Sequence, residues 1–108
     1  MLLNSDLWVG ALIRRAQIEG ANATVVRKGD MRAGTVIVKA YNTSERTAHL
    51  YREAFGSEGE RLWIQPVTGT ESELDAYIER QRAYDPDLWV VEIEDRHGRH
   101  FIVEKVQD

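Results

Sequence analysis

The apolar positions of this chain follow two different periods. Between Asp6 and Ile18, the residues Leu7, Trp8, Val9, Ala11, Leu12, Ile13, Ala16 and Ile18 recur at helical spacing. Asn4 or Ser5 can cap a helix there, and Gly20 can end it. The apolar set is wider than one stripe. Such a helix needs cover on more than one side, from a sheet plus another element or from another subunit. Leu7, Trp8, Leu12 and Ile13 are therefore candidate interface residues.

The pattern then shortens to period two. Thr24–Lys28 and Thr35–Tyr41 are rich in β-formers and flank "GDMRAG", which predicts a hairpin. "NTSER" turns the chain into "TAHLYREAF", a strand with a short helix as the competing reading. Its alternation puts Ala48, Leu50, Arg52 and Ala54 on one face, and His49, Tyr51, Glu53 and Phe55 on the other. After "GSEGE", "RLWIQPV" predicts a fourth strand ending near Pro66.

Helical spacing returns in "TGTESELDAYIERQRAY". Thr70 and Glu73 have the spacing of a capping box, and Leu74, Tyr77, Ile78 and Gln81 mark one face. Asp85-Pro86 ends this helix. The last stretch, "VVEIEDRHGRHFIVEKV", predicts a hairpin turning at Arg96, His97 and Gly98. It would pair Asp95 with Arg99, Glu94 with His100, Ile93 with Phe101, and Val91 with Val103. Trp89, Val91, Ile93, Phe101 and Val103 would then form a buried face. The order α-β-β-β-β-α-β-β points to an α+β fold, a mainly antiparallel sheet of about six strands with two helices packed on it.

Composition narrows the class. At 108 residues the chain fits one domain, residues 1–108. No cysteine is present, so disulfides and thiolate metal sites are excluded and a reducing compartment is expected. Asp6 interrupts the N-terminal apolar run, and Arg14 and Arg15 follow it. That is not a signal-peptide pattern, and the run is too short to span a membrane. The expected location is cytoplasmic. A formal charge of −4 argues against nonspecific nucleic-acid binding, which depends on neutralising phosphates. Lysine occurs only at Lys28, Lys39 and Lys105, and arginine supplies the remaining basic residues.

Two patches could carry chemistry. His97, His100, Glu92 and Glu94 crowd the turn end of the last hairpin, and imidazole with carboxylate suits a metal or an acid–base pair. Glu92, Glu94 and His100 would share a face, whereas His97 lies in the turn. Cross-strand charge pairing explains the same residues structurally. Arg27, Lys28 and Arg32 form the most basic local patch, a candidate for an anion or RNA. "KGDMRAG" lacks the glycines and following helix of a phosphate loop, and Tyr41 is the lone aromatic of that hairpin for stacking bases. The serines sit at caps and turns, so no nucleophilic triad is visible.

The segments "SDLWV", "RKGDMRAGTVIVK" and "DPDLWVVEIEDRHGRHF" resemble the small alphaproteobacterial family called domain of unknown function 1491. The resemblance covers nearly the whole chain and implies a bacterial origin. It supplies no activity, and no functional residues come with it. The sequence reading is thus a non-enzymatic, cofactor-free cytoplasmic module that binds another protein or its own copy, as a homodimer. The alternatives are a small metal-dependent or acid–base enzyme using His100 with Glu92 or Glu94, and an RNA or phosphate-ligand binder using Arg27, Lys28 and Arg32.

Overall fold

The computed structural model describes residues 4–107. Helix α1 spans Ser5–Ile18, and α2 spans Glu71–Tyr84. Five strands form one sheet: β1 (Asn22–Arg27), β2 (Val36–Asn42), β3 (Thr47–Phe55), β4 (Arg61–Ile64) and β5 (Trp89–Asp95). The class is α+β, as the pattern predicts. The spatial order is β1-β5-β2-β3-β4, and every neighbouring pair is antiparallel except β2 with β5, which is parallel.

This order corrects both flanking hairpins. β5, not β2, is the neighbour of β1. The reason lies in the apolar run Leu88-Trp89-Val90-Val91: Trp89, Val91 and Ile93 enter one core, and Leu88 and Val90 enter the other. A strand apolar on both faces belongs at the centre of a sheet. "GDMRAG" is consequently a connection that wraps the start of β5. Trp89 Nε1 donates to the Asp30 carbonyl at 2.6 Å, and the Asp30 amide donates to the Asp87 carbonyl at 3.0 Å. A Cβ on Gly29 or Gly34 would strike that Asp87 carbonyl, so both glycines serve close approach.

With β1 and β2 on either side of β5, no slot remains for a sixth strand beside it. Gly98 does turn the chain, at φ 70°, but residues 99–106 leave the ladder and pack over α1's side of the sheet. Phe101, Ile102 and Val106 join that core, while Val103 is exposed. Asp95 and Arg99 do pair, at 3.0 Å, as an ion pair across a turn instead of across two strands.

The two helices cover opposite faces. α1 buries Trp8, Val9, Leu12 and Ala16 against Val36, Val38, Tyr51, Trp63, Trp89, Val91 and Ile93. Trp8 and Trp63 stack with centroids 4.8 Å apart. α1's apolar surface is thus covered by the sheet plus the C-terminal segment, except at Leu7 and Ile18, which stay exposed. Arg15 donates twice to the Phe101 carbonyl, and Trp8 Nε1 donates to Glu104. Asn4 is the N-cap but makes no side-chain cap. The carbonyls of Arg32 and Met31 take the Ser5 and Asp6 amides instead. α2 buries Leu74 and Ile78 over Ile37, Ala48, Leu50 and Val90, and its capping box forms as the spacing predicts.

Candidate functional site

The histidine–carboxylate patch is divided by the sheet. Glu92 lies on the α2 face, 3.7 Å from Lys39 Nζ, and Glu94 shares that face by alternation. His100 lies on the α1 face, its ring edge-on to Tyr51 at 4.7 Å. Its Nδ1 accepts from the Ile102 amide at 2.9 Å, and burial lowers its pKa. His97 sits exposed in the turn, and His49 is exposed with Nδ1 3.2 Å from Gln65 Oε1. Among the described residues, no three His, Asp or Glu side chains gather as metal ligands.

The basic patch is likewise dispersed. Arg27 turns to the α2 face and donates to the Pro86 carbonyl at 2.9 Å. Arg32 lines a different cleft near the start of α1, and Lys28 is exposed between them. Of the four α1 candidates, Trp8 and Leu12 are fully enclosed within the chain and Ile13 is half-buried against the core. Leu7 alone remains largely exposed, at 58%. Leu2 and Leu3 of the N-terminal run lie outside the described residues.

Two polar clusters were not singled out by the pattern. Lys39 is buried in β2, where it donates to Glu71 at 2.7 Å and Asp75 at 2.8 Å. Burial works against its charge, but the hydrogen bonds to Asp75 and Glu71 outweigh that and raise its pKa. A lysine inside "VIVKAYN" was the available signal, because a charge in a central strand needs partners. On the α1 face, Glu53 accepts from the Val36 amide at 3.2 Å and pairs with Arg61 at 3.0 Å. Glu53 and Arg61 line a cleft of about 290 Å³ with Arg32, Ser5 and Phe55. Burial pushes the Glu53 carboxyl up, opposed by Arg61 and the Val36 amide.

The third feature is backbone. The Trp89 amide donates to the Thr35 carbonyl, and the Thr43 amide donates to the Asp95 carbonyl. These bonds turn the main-chain groups of odd-numbered β5 residues toward β2. Val90, Glu92 and Glu94 therefore face β1, where they sit opposite Arg27, Thr24 and Asn22. It follows that Asn22 and Thr24 point their amides and carbonyls inward, while Ala23 and Val25 point theirs out of the sheet. No described strand lies on that side. A bulge between Val25 and Arg27 interrupts the register at one end, and Val25 and Val26 are both exposed.

The opposite edge is different. β4 has four residues, and the C-terminal segment bridges it: the Trp63 amide donates to the Lys105 carbonyl at 2.9 Å, and the Gln107 amide donates to the Trp63 carbonyl at 2.7 Å. One edge is short and bridged, and the other is regular over Asn22–Val25 with no described strand beside it.

Comparison with known proteins fits this architecture. A crystal structure of a DUF1491 family protein from Caulobacter crescentus CB15 is 60% identical, with a TM-score of 0.95 over 98% of this chain and 100% of that one. An NMR structure of a DUF1491 family protein from the same organism, also 60% identical, gives a TM-score of 0.93 over 100% and 99%. A solution structure of a protein from A. tumefaciens is 33% identical, with a TM-score of 0.83 over 100% and 98%. No curated protein matches the chain. The family model described as protein of unknown function (DUF1491) matches residues 3–103, and the chain belongs to that family.

Proposed function

We propose that this chain is a non-enzymatic cytoplasmic module that binds a protein by adding a strand to the β1 edge. The carrying observation is the outward set of main-chain groups at Ala23 and Val25, beside two exposed valines. Proteins blunt sheet edges with short strands, charges, prolines or cover. β4 is treated that way. β1 carries neither Lys nor Pro, and its one bulge leaves Asn22–Val25 regular. Strand addition uses main-chain hydrogen bonds for affinity and alternate side chains for choice of partner. No helix among the described residues is long and apolar enough to cross a membrane.

The test is selection from a library of random 12-residue peptides, with binders re-measured on Val25→Pro. Proline removes only an outward donor at this position. Binders that fail on the proline variant support strand addition. Binders indifferent to it, or none at all from a monomeric protein, overturn it.

A second reading rests on Glu53. A carboxyl with a raised pKa in a cleft, beside Arg61 and Arg32, is the kind of group that handles protons or orients a small anion. Inorganic phosphate or acetate should then raise the melting temperature of the wild type, and less that of Arg32→Ala. Equal response of the two proteins would remove this reading.

A further inference from the structure

We propose that the cleft at the start of α1 is a binding site for a small monocarboxylate with a flat apolar body, of the benzoate class. The proposal rests on the reading of the Glu53 cleft as an anion site and gives that anion a class. Its ground is the set of groups that four parts of the chain bring to one opening.

Alternation along β3 puts Glu53 and Phe55 on the α1 face, and β4 sets Arg61 opposite Phe55. The connection before β2 brings Arg32, and α1 begins at the rim with Asn4 and Ser5. The Ser5 hydroxyl donates to the Gly34 carbonyl at 2.7 Å and the Ser5 amide to the Arg32 carbonyl at 3.2 Å, which fixes that wall to the helix. Glu53 is the deep group, with a side chain 11% exposed. One of its oxygens takes the Val36 amide, and the other lies 3.0 Å from Arg61 Nε. That Nε is buried without an aligned hydrogen bond, so the contact is a charge pair and does not occupy the whole guanidinium.

The lining carries two guanidinium groups, Arg32 and Arg61, against one carboxylate, Glu53. Asn4, Ser5 and Thr35 are uncharged. Of the nearby carboxylates, Asp30 accepts from the Arg32 and Ala33 amides, Asp6 from the Leu7 amide and Glu104 from Trp8 Nε1, and none of them lines the cleft. One negative charge therefore balances the lining. A second would meet Glu53, on which Glu104 also acts as a like charge. A carboxylate is the monoanion whose plane matches a guanidinium fork. Shape gives the rest of the ligand. The cleft holds about 290 Å³, near the lower end for small-molecule sites. The Phe55 ring lies 65% exposed at it, an apolar surface for a second ring.

Such a ligand is coupled to a proton. Burial raises the Glu53 pKa, against Arg61 and the Val36 amide. A carboxylate bound beside it is a further like charge and raises it again. The complex thus holds a proton on Glu53 more readily than the free protein does, and affinity falls as pH rises above the free Glu53 pKa.

Calorimetric titration of the whole chain with benzoate, acetate and inorganic phosphate tests this. Benzoate should bind with a Kd on the order of 0.1–1 mM, at least about tenfold tighter than the other two. Arg32 and Phe55 are both exposed, so Arg32→Ala and Phe55→Ser leave the fold intact. Each should weaken benzoate about fivefold to tenfold. Glu53→Gln keeps an acceptor for the Val36 amide and removes the like charge. It should bind benzoate about tenfold tighter than wild type at pH 8, and the advantage should shrink as pH falls toward about 5. Benzoate that binds no tighter than acetate overturns the proposal. So does benzoate indifferent to Arg32→Ala and Phe55→Ser, or a Glu53→Gln variant no tighter than wild type at pH 8. If acetate or phosphate binds wild type better than Arg32→Ala while benzoate has no advantage, the anion reading stands and its class alone fails. If none of the three binds, both fail.

Discussion

The two edges of this sheet face the same problem and solve it differently. A terminal strand always presents amides and carbonyls that no neighbour inside the sheet can take. At β4 the strand is cut to four residues and residues 105–107 lie along it. Trp63 anchors that edge: its ring is fully buried on Trp8, and its backbone carries both bonds to the C-terminal segment. At β1 the strand has six residues, the side chains from Ala23 to Val26 are small or β-branched, and nothing described lies along it. The closed edge is built from core, and the open edge is built from surface. Substitutions at β4 should therefore act on stability, and substitutions at β1 on association.

The largest expected effect tests the closed edge. Trp63→Ala removes a fully buried indole and the stack on Trp8, and should cost about 3–5 kcal/mol in urea unfolding. A loss below about 1 kcal/mol would mean that β4 is not part of the core.

Asp95 comes next, because it holds the turn from which the closing segment departs. Its carboxylate accepts from the His97 and Arg99 amides and from the Arg99 guanidinium. The bond from the Arg99 side chain, against the cost of burial, pulls its pKa down to about 2. Asp95→Asn should cost about 2–3 kcal/mol near neutral pH. A carboxylate with a depressed native pKa contributes stability above its unfolded pKa and loses it as pH falls through the native one. The gap between wild type and Asp95→Asn should thus be constant from pH 7 to about pH 5 and should close as pH falls toward 2. A gap unchanged at pH 2 would contradict the ion pair.

Ending the chain after Glu104 is a milder test. It deletes two backbone bonds to Trp63, each worth about 1 kcal/mol net. It should lower stability by about 2 kcal/mol and leave a second open edge. Association that grows with concentration and survives Val25→Pro would be the mark of that new edge.

The contrast between edges also explains what was legible in the sequence. Both helices, the five observed strands near their bounds, and the face assignment of Thr47–Phe55 follow from local period, and local period is visible along one chain. Strand order is not local. The run Leu88–Val91 showed apolar residues on both faces, the mark of a central strand, yet adjacency in sequence favoured a hairpin of the first two strands. Once β5 is placed between β1 and β2, the sixth strand is lost, His100 moves to the face opposite Glu92 and Glu94, and the segment after Gly98 becomes α1's cover. The wide apolar surface of α1 calls for a second covering element, within the chain or from another subunit. The chain supplies that element itself, so Trp8 and Leu12 are core. The open edge left no trace in the residue pattern, because its chemistry is main-chain and depends on which strand stands where.

The smallest expected change in stability is the most informative. Val25→Pro should alter unfolding free energy by less than about 1 kcal/mol. Edge strands tolerate proline where the amide points outward, and the Val25 amide faces away from β5. Thr24, which precedes it, is already extended, as a residue before proline must be. The ring also restricts the unfolded chain, which offsets part of any native strain. Were the Val25 amide bonded to β5, the same change would break a ladder bond and cost several times more. Circular dichroism and urea titration on one sample, with the selected peptides titrated into the same sample, separate the cases. A stable protein that no longer binds them assigns the Val25 amide to association, and a destabilised protein assigns it to the ladder and removes the open edge on which the proposed function stands.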